Sequence, residues 1–493
     1  MISLSAVSLL LSNNILLVVA VLLFAAIMVV KAGSRLGAPF LLLFLVLGLL
    51  AGPDVLGFDF THHAKAEHIG HLALTIIIFE AGLETSLKAT KPVMKQGLLL
   101  STVGVLLMVL LVGGFVWFAL GKTLGLSVAS CFLLAAIISS TDSGSVFSVF
   151  REKRLKLREN LAPMLELESG SNDPIAFGVT IITLDIMTRG FHFGYSDMPT
   201  IVTGILLFMI QMLVGLTIGI AVGYVSQGVL SRVRFSSSSL TSILILSFGF
   251  LSSGLATLFY GNGLLAIYVT AIIIGSKAKI QDRKEVTNFF DGAAWLMQLV
   301  MFLLLGLMAR PSQILPILLP GLLIAAFMMF FARPASVMLT LLPFKKLSLR
   351  AKAFVSWVGV KGAGPILCAL MPMVAGMKDG TLLFNLVFII TLASLFVQGG
   401  TMIPAAKLLR VSYEDDKQVE TFGLDLPEEM GMLRDHTVTE EDLMNGATLR
   451  DLHLPHGIRV TMVRRDGRFL VPHGSMELKP NDHLLIIVGE SDD

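Results

Sequence analysis

The sequence predicts an all-α polytopic membrane protein that crosses the bilayer about thirteen times and ends in a small cytosolic α+β domain. Hydrophobic residues make up 55% of the 493 residues and charged residues 15%, and a soluble chain with so much apolar surface would aggregate. Apolar stretches recur as far as Arg410, and acids and bases dominate beyond it. We therefore predict a transmembrane domain at 1–410, a linker at 411–430 and a cytosolic domain at 431–493.

A helix needs roughly 20 mostly apolar residues to cross the hydrocarbon core. The predicted spans are centred near residues 20, 45, 76, 107, 138, 172, 212, 248, 269, 299, 327, 363 and 392. The first stretch lacks the basic region and cleavage site of a signal peptide, so we expect it to be retained as a helix. Cys131 and Cys368 both lie in apolar stretches, so neither a disulfide framework nor a thiolate metal site is indicated.

Basic residues concentrate in alternate connections between the spans, and such connections face the cytoplasm. The pattern therefore predicts an N-terminus outside and a C-terminal domain in the cytoplasm. The basic clusters are Lys31 and Arg35; Lys88, Lys91 and Lys95; Arg151, Lys153, Arg154, Lys156 and Arg158; Arg232 and Arg234; Lys277, Lys279, Arg283 and Lys284; and Lys345, Lys346, Arg350 and Lys352.

About thirteen spans divide into two groups of six joined by a single span, which inverts the second group relative to the first, as in transporters built from inverted repeats. The fifth and twelfth spans then correspond. Polar, glycine or proline residues interrupt both midway, at 139–144 and at 361–365. Paired interruptions of this kind indicate a transport site, because irregular backbone at membrane depth is tolerated only beside protein or a water-filled cavity.

The sixth span carries acidic residues, and an ionisable residue inside a membrane is a functional candidate by default. Asp173 follows Asn172 and precedes Pro174, whose missing N–H frees a carbonyl one turn earlier. A carboxylate, an amide oxygen and free carbonyls are hard ligands that suit an alkali cation. A carboxylate withdrawn from water also holds a proton readily, so one such site can bind a cation or a proton in turn. The alternative is that Asp173 only caps or pairs within the bundle.

Other buried charges have two interpretations each. Glu168 is predicted to pair with Arg333 as a structural ion pair, unless Arg333 extends to the cytoplasmic face. Lys361 lies in the interruption of the twelfth span, where it would neutralise helix carbonyls and offset Asp142, either to stabilise the interruption or to gate the ion. Glu80 lies within the apolar third span and either approaches the ion path or makes a structural hydrogen bond.

The string Glu168-Ser169-Gly170-Ser171-Asn172-Asp173-Pro174 resembles the E-S-G-x-N-D-P motif of the cation/proton antiporter family, whose bacterial members are called NhaP and whose animal relatives are the sodium/proton exchangers. Thr141-Asp142 resembles the family's T-D and Phe79-Glu80-Ala81-Gly82 its F-E-x-G. Ala332-Arg333 resembles its A-R step. The resemblance covers all the predicted spans.

By this resemblance, Asp173 carries the cation and the proton, Asn172 supports it, Thr141 and Ser169 supply oxygens, Asp142 belongs to the site, and Glu80 belongs to its surroundings. The family's A-R arginine pairs with the E-S-G glutamate, here Glu168. Members with Asn-Asp at this point are typically electroneutral, and we expect a homodimer in a bacterial inner membrane. Ser143 replaces the usual Pro after T-D, and Lys361 replaces the Arg of G-x-R-G, so the local network is expected to differ.

After the linker, short alternating strands are predicted at 458–463, 469–472 and 483–489, with turns at 465–467 and at 481–482. This pattern resembles the RCK-C (TrkA-C) module of proteins that regulate potassium conductance, a module that usually dimerises and binds a small ligand, often a nucleotide. The resemblance favours K+ over Na+ as the exchanged cation. No G-x-G-x-x-G occurs in the tail, so a Rossmann-type dinucleotide is not expected, and no nucleic-acid partner or resident cofactor is indicated.

The sequence thus predicts a secondary transporter, not an enzyme, that exchanges a monovalent cation for a proton by alternating access. A ligand-gated cation channel is the first alternative, since channels share the tail module, but no filter sequence such as T-V-G-Y-G occurs. An intramembrane enzyme that uses Asp142 and Asp173 as an acid pair is the second. That chemistry has no use for Asn172, Lys361 or the paired interruptions.

Overall fold

The computed structural model describes residues 15–33, 40–57, 62–142, 144, 146–147, 150, 155–189, 200–233, 235, 237–414, 433–440, 442–443, 446–452, 458–465 and 468–488. The chain divides into two compact units, Met1–Tyr413 and Glu414–Asp493. Several residues named above lie outside the described part of the chain: Arg35, Ser143, Arg151, Lys153, Arg154 and Arg234, and the centre of the predicted turn at 465–467.

The first unit is built of helices, which we number α1 to α14. They are α1 Ile15–Gly33, α2 Phe40–Ala51, α3 His63–Glu84, α4 Leu87–Leu124, α5 Val128–Ile137, α6 Leu161–Arg189, α7 Thr200–Arg232, α8 Ser238–Leu258, α9 Gly263–Lys277, α10 Arg283–Met308, α11 Pro311–Thr340, α12 Leu349–Trp357, α13 Ala363–Val374 and α14 Gly380–Leu408. A two-stranded sheet joins β1 Leu155–Leu157 to β2 Ser412–Glu414.

Seven of the helices in the described residues are long and apolar enough to cross a membrane, namely α3, α4, α7, α8, α10, α11 and α14. Five shorter apolar helices lie within α1, α2, α5, α9 and α13. The helical membrane architecture is therefore confirmed, whereas the exact number of crossings and the inverted repeat stay predictions.

Local signals in the sequence fix several helix starts. The Ser127 Oγ accepts the Ser130 N–H at 3.0 Å at the start of α5, and the Ser348 Oγ accepts the Ala351 N–H at 3.0 Å at the start of α12. Such side chains satisfy N–H groups that have no partner within the helix. Three of the long helices also contain π turns, at Leu100–Gly104 and Val116–Leu120 in α4, Met328–Ala332 in α11 and Leu395–Gly399 in α14. Periodicity does not predict π turns, which occur often at functional sites.

The second unit contains a four-stranded antiparallel sheet in the order β3-β6-β4-β5, from β3 Leu433–Thr437, β4 Ile458–Arg465, β5 Arg468–Leu470 and β6 His483–Val488. Its small core is formed by Val438, Val463, Leu478, Leu484 and Ile486. The sheet domain at the C-terminus is confirmed. The described residues of this unit form strands and turns, so the helical part of the predicted α+β module lies in none of them.

One difference from the sequence concerns the predicted linker at 411–430. Its first residues form β2, which pairs with a strand more than two hundred residues earlier in the chain. Residues 415–432 lie outside the described part. The pairing was not predictable locally, because a three-residue strand becomes stable only where a distant segment supplies its hydrogen bonds.

Candidate ion site

Two interrupted helices meet inside the first unit. The backbone leaves helical geometry after α5, which ends at Ile137, and again between α12 and α13. The Asp142 N–H donates to the Val360 carbonyl at 2.9 Å, and the Lys361 Nζ donates to the Ser140 carbonyl at 2.8 Å. Each interruption therefore satisfies polar backbone groups of the other, as membrane burial requires.

Two glycines permit this close approach. A Cβ atom at Gly362 would overlap the side chain of Asp142. A Cβ atom at Gly364 would lie 2.8 Å from the Asp173 Oδ1 and 2.9 Å from the Ser140 Oγ, closer than real Cβ contacts allow. The carboxylates of Asp142 and Asp173 thus both lie against the start of α13, and glycine is required at both positions for that reason.

The Glu168–Pro174 motif of α6 contacts Thr141, in the interruption that follows α5. The Ser169 Oγ donates to the Thr141 carbonyl at 2.7 Å, and the Asn172 Nδ2 donates to the Thr141 Oγ1 at 2.7 Å. The Asn172 Oδ1 is buried and has no hydrogen-bond partner among the described residues. A buried amide oxygen with no partner, on the residue that precedes an acid, is a suitable ligand for an alkali cation, because such cations prefer hard oxygen ligands.

The neighbouring part of α6 is fixed by α9. The Asn262 Nδ2, at the start of α9, donates to the Pro174 carbonyl at 2.7 Å. The buried ring of Tyr268 packs directly on Gly170, where a Cβ atom would overlap it. The glycine of the E-S-G string is thus explained by packing against α9, a contact that the sequence did not indicate.

A buried ion pair lies one turn before the carboxylate site. The Arg333 Nη2 is 2.6 Å from the Glu168 Oε1, and the two side chains are 5% and 1% exposed. The same Nη2 donates to the Val358 carbonyl at 3.3 Å, at the end of α12. Arg333 follows the π turn of α11 and points inward, so it does not extend to the membrane surface.

Lys361 belongs to a polar network with two residues that sequence reasoning missed. Its backbone N–H donates to the Ser394 Oγ at 3.2 Å, and the Ser394 hydroxyl donates to the Gln398 Oε1 at 2.7 Å. The Gln398 Nε2 donates to the Trp357 carbonyl at 2.9 Å. A signal for this network was present, because Ser394 and Gln398 are polar residues within the apolar last span, where polar groups are costly unless they have partners.

Glu80 lies close to two other acidic residues. It lines a small cavity with Glu84, Gly275, Arg283 and Phe290. Carboxylate oxygens of Glu80, Glu84 and Asp291 lie within 4.8 Å of one another. The remaining predicted site residues meet at the crossing of the two interruptions. They are Thr141, Asp142, Ser169, Asn172, Asp173 and Lys361.

Comparison with known proteins agrees with this fold and assigns the chain to a family. The sodium/hydrogen exchanger transmembrane family model matches residues 19–408, and the TrkA-C domain model matches residues 433–492. The helical fold resembles that of the sodium proton antiporter MjNhaP1 from Methanocaldococcus jannaschii, with a TM-score of 0.68 and 22% identity over 82% of this chain and 99% of the other.

Two relatives match nearly the whole chain. The K(+)/H(+) antiporter NhaP of Alkalimonas amylolytica is 33% identical over 97% of this chain and 82% of its own length. The K(+)/H(+) antiporter NhaP2 of Shewanella sp. (strain MR-4) is 34% identical over 96% of this chain and 81% of its own. The Na(+)/H(+) antiporter NhaH of Halobacillus aidingensis is 28% identical over 58% of this chain and 70% of its own.

A polytopic helical unit with a carboxylate site at two crossed interruptions defines a membrane transporter of the cation/proton antiporter class. The chain belongs to the sodium/hydrogen exchanger family and carries a C-terminal TrkA-C domain. The resemblance drawn from the E-S-G-x-N-D-P motif is thereby confirmed.

Proposed function

We propose that this protein exchanges K+ for H+ across a bacterial inner membrane, one cation for one proton. The observation that carries the proposal is the position of Asp173. Its carboxylate lies at the start of α13, and the preceding residue on α6, Asn172, has a buried and unpartnered amide oxygen. A single carboxylate there binds a cation or a proton but not both, so the two ions compete for one negative charge and exchange moves no net charge.

The surrounding groups have distinct roles in this proposal. Asn172, Ser169 and Thr141 either supply oxygen ligands to the cation or position the groups that supply them. Asp142 adds negative electrostatic potential at the crossing. The Glu168–Arg333 pair fixes α6 against the end of α12. Lys361 holds the crossing together by its bond to the Ser140 carbonyl. Glu80, in its separate cavity with Glu84 and Arg283, lines the approach of ions rather than the binding position.

K+ is favoured over Na+ by relatives that span nearly the whole chain, among them NhaP of Alkalimonas amylolytica and NhaP2 of Shewanella sp. (strain MR-4), both of which are named for K+. The TrkA-C match points the same way, because the module resembles that of potassium-regulating proteins. Na+ is the second candidate, supported by the family description and by the shorter match to NhaH.

Transport by alternating access requires one group of helices to move relative to another. The crossed interruptions and α6 share hydrogen bonds, and Arg333 of α11 links Glu168 on α6 to the Val358 carbonyl at the end of α12, so these elements would move together as one bundle. We further propose that two copies form a homodimer, that the N-terminus lies outside, and that the cytoplasmic tail domain binds a small regulatory ligand such as a nucleotide.

Purified protein in liposomes that carry a pH-sensitive dye tests the proposal. With a proton gradient set in advance, added K+ should dissipate the gradient at a rate that does not change when an ionophore collapses the membrane potential. Asp173→Asn protein, reconstituted in equal amount, is the control and should give no K+-dependent signal. Potential-dependent ion flux without proton movement would instead identify a channel, and a preference for Na+ over K+ would select the second candidate.

A further inference from the structure

The segment that enters α6 is bonded to the segment that leaves the membrane unit. Strand β1 comes directly before α6, the helix that carries Asn172 and Asp173, and β2 comes directly after α14. The two strands form a sheet by themselves. The second unit begins at Glu414, the last residue of β2. The polypeptide path from the TrkA-C domain to the membrane unit therefore passes through this sheet.

Several contacts fix the strand pair. The Arg158 N–H donates to the Val411 carbonyl at 2.8 Å. The Arg158 guanidinium carbon lies 5.7 Å from the centre of the Tyr413 ring, within the range of a cation–π contact. The side chains of Leu155 and Val411 are 8% and 2% exposed and join the core of the membrane unit. The pairing is thus anchored by one buried apolar side chain in β1 and another immediately before β2.

Glu159, the residue after Arg158, connects the same segment to α12. The Glu159 carboxylate accepts the Ser348 N–H at 3.0 Å and the Ser348 hydroxyl at 2.7 Å. Ser348 caps α12, which leads into the interruption that contains Lys361. Glu159 has a φ of 55°, in the left-handed region that non-glycine residues seldom adopt, and the two bonds hold it there.

One short segment, 155–159, thus contacts the beginning of α12 and the exit to the tail, and it leads into α6. We propose that this segment transmits the state of the TrkA-C domain to the ion site, with Arg158 and Glu159 as positioning residues. A displacement of the tail would move β2, and β2 would move the cytoplasmic ends of α6 and α12 together. The inference rests on the proposed exchange, because exchange is its measured output.

A double-mutant cycle in the full-length protein tests the connection. Arg465→Ala perturbs the tail domain, since Arg465 holds the buried Asp482 carboxylate by two bonds of 2.8 and 2.6 Å. Arg158→Pro removes both the N–H that reaches Val411 and the guanidinium over Tyr413. Arg158→Ala combined with Tyr413→Ala is a milder version that keeps the N–H, and Tyr413→Phe is the matched control that keeps the ring.

We expect Arg465→Ala to change the maximal K+/H+ exchange rate by about fivefold, the low end of typical coupling between sites. Arg158→Pro alone should give a similar rate, and adding Arg465→Ala to it should have no further effect. The K+ concentration for half-maximal exchange should stay within about twofold in every variant, because the Asp173 site is untouched. Tyr413→Phe should behave like the unmodified protein.

Two results would overturn the proposal. One is an unchanged rate in Arg465→Ala protein, and the other is independent, additive effects of Arg465→Ala and Arg158→Pro. If Arg158→Pro does not fold, as judged by gel filtration in detergent, the same comparison applies to the Arg158→Ala and Tyr413→Ala variant. A lack of exchange in the unmodified protein, relative to Asp173→Asn, would count against the proposed function and not against this connection.

Discussion

Two acidic residues five positions apart on α6 have opposite surroundings. Glu168 is paired with Arg333 at 2.6 Å, and both side chains are buried. Asp173 forms no ion pair among the described residues. Its carboxylate lies with the Ser140 hydroxyl against Gly364, and the buried Lys361 ammonium attracts it from the crossing without pairing with it. A buried acid with a permanent counter-charge is fixed in one state. An acid with no directly paired side chain can bind a mobile cation or a proton in turn, and the comparison therefore distinguishes a scaffold position from the proposed transport position within one helix.

The largest effect on transport is expected from Asp173→Asn, which keeps the shape of the side chain and removes its charge. We expect K+/H+ exchange to be abolished, because no group is left to alternate between cation and proton. Gel filtration and thermal unfolding in detergent should match the unmodified protein. Residual exchange in this variant would show that another carboxylate carries the ions.

Removal of the other acid should act on stability rather than on the ions. Glu168→Ala leaves Arg333 buried without its partner, and such losses cost about 3–5 kcal/mol. We expect a low yield of folded protein, measured by gel filtration, with near-normal exchange per folded molecule. The double variant Glu168→Gln with Arg333→Met should recover most of the stability because no charge remains unpaired. A double variant as unstable as Glu168→Ala would contradict this explanation.

Gly364→Ala tests the space beside Asp173. The new Cβ atom would lie 2.8 Å from the carboxylate oxygen, so the carboxylate or α13 must shift. Displacements of about 1 Å at a reacting group reduce rates by about 100-fold, and we expect exchange in liposomes to fall by that order. Gly400→Ala, on the adjacent α14, meets nothing within 4 Å and is the matched control. Equal exchange in the two variants would show that Asp173 has free space around it.

Thr141→Val removes the hydroxyl that accepts the Asn172 Nδ2 at 2.7 Å. A buried donor left without a partner costs about 1–3 kcal/mol. Because Asn172 can then rotate away from Asp173, we expect the K+ concentration for half-maximal exchange to rise by about tenfold. Thr141→Ser keeps the hydroxyl and should restore the original value. An unchanged K+ dependence in Thr141→Val would place Asn172 outside the cation site.

The smallest effect on transport is expected from the acid dependence of the tail. Burial raises the pKa of Asp482, but hydrogen bonds from Arg465 and from the Lys479 N–H outweigh burial and hold that pKa below its ordinary value of 3.8. The ionised form therefore stabilises the folded domain above pH 3.8, and this stabilisation is lost as the pH falls through the lowered value.

Hydrogen exchange of β4 and β6 in the full-length protein measures this dependence. Protection should decrease as the pH is lowered below 3.8, whereas Asp482→Asn should show weaker protection that does not change over the same range. A parallel decrease in both proteins would assign the acid sensitivity to another group. Exchange of ions near neutral pH should not respond to this titration, in contrast to its loss in Asp173→Asn.

Much of the site was predictable because charge inside an apolar helix is conspicuous. Asp173, Glu168, Arg333 and Lys361 all stand out against their apolar neighbours, and the motif around Asp173 pointed to the family. Ser394 and Gln398 were overlooked because uncharged polar residues are a weaker signal. The π turn before Arg333 was not predictable, since it leaves no mark in the periodicity of the sequence.

Glu80 shows a different limit of prediction from the sequence. Its position in a family-like motif implies a place in the surroundings of the ion site, which stays a prediction, and the structure adds that it lines a cavity with Glu84 and Arg283. The pairing of β1 with β2 shows the same limit, because the 411–430 segment was expected to be only a linker. Both cases depend on which distant segments the helices bring together, and local sequence does not contain that information.

The sequence by itself determined that this chain spans a membrane, that it belongs with cation/proton antiporters, and that Asp173 is the acid to test. These follow from hydropathy, charge and motif, which are properties of neighbouring residues. Only the tertiary structure decided that the interruptions bond to each other, that Arg333 turns inward to Glu168, and that the segment before α6 bonds through Arg158 to the segment after α14. Those contacts join residues far apart in the chain, and at the interruptions they depend on Gly362 and Gly364, which permit the backbone to approach.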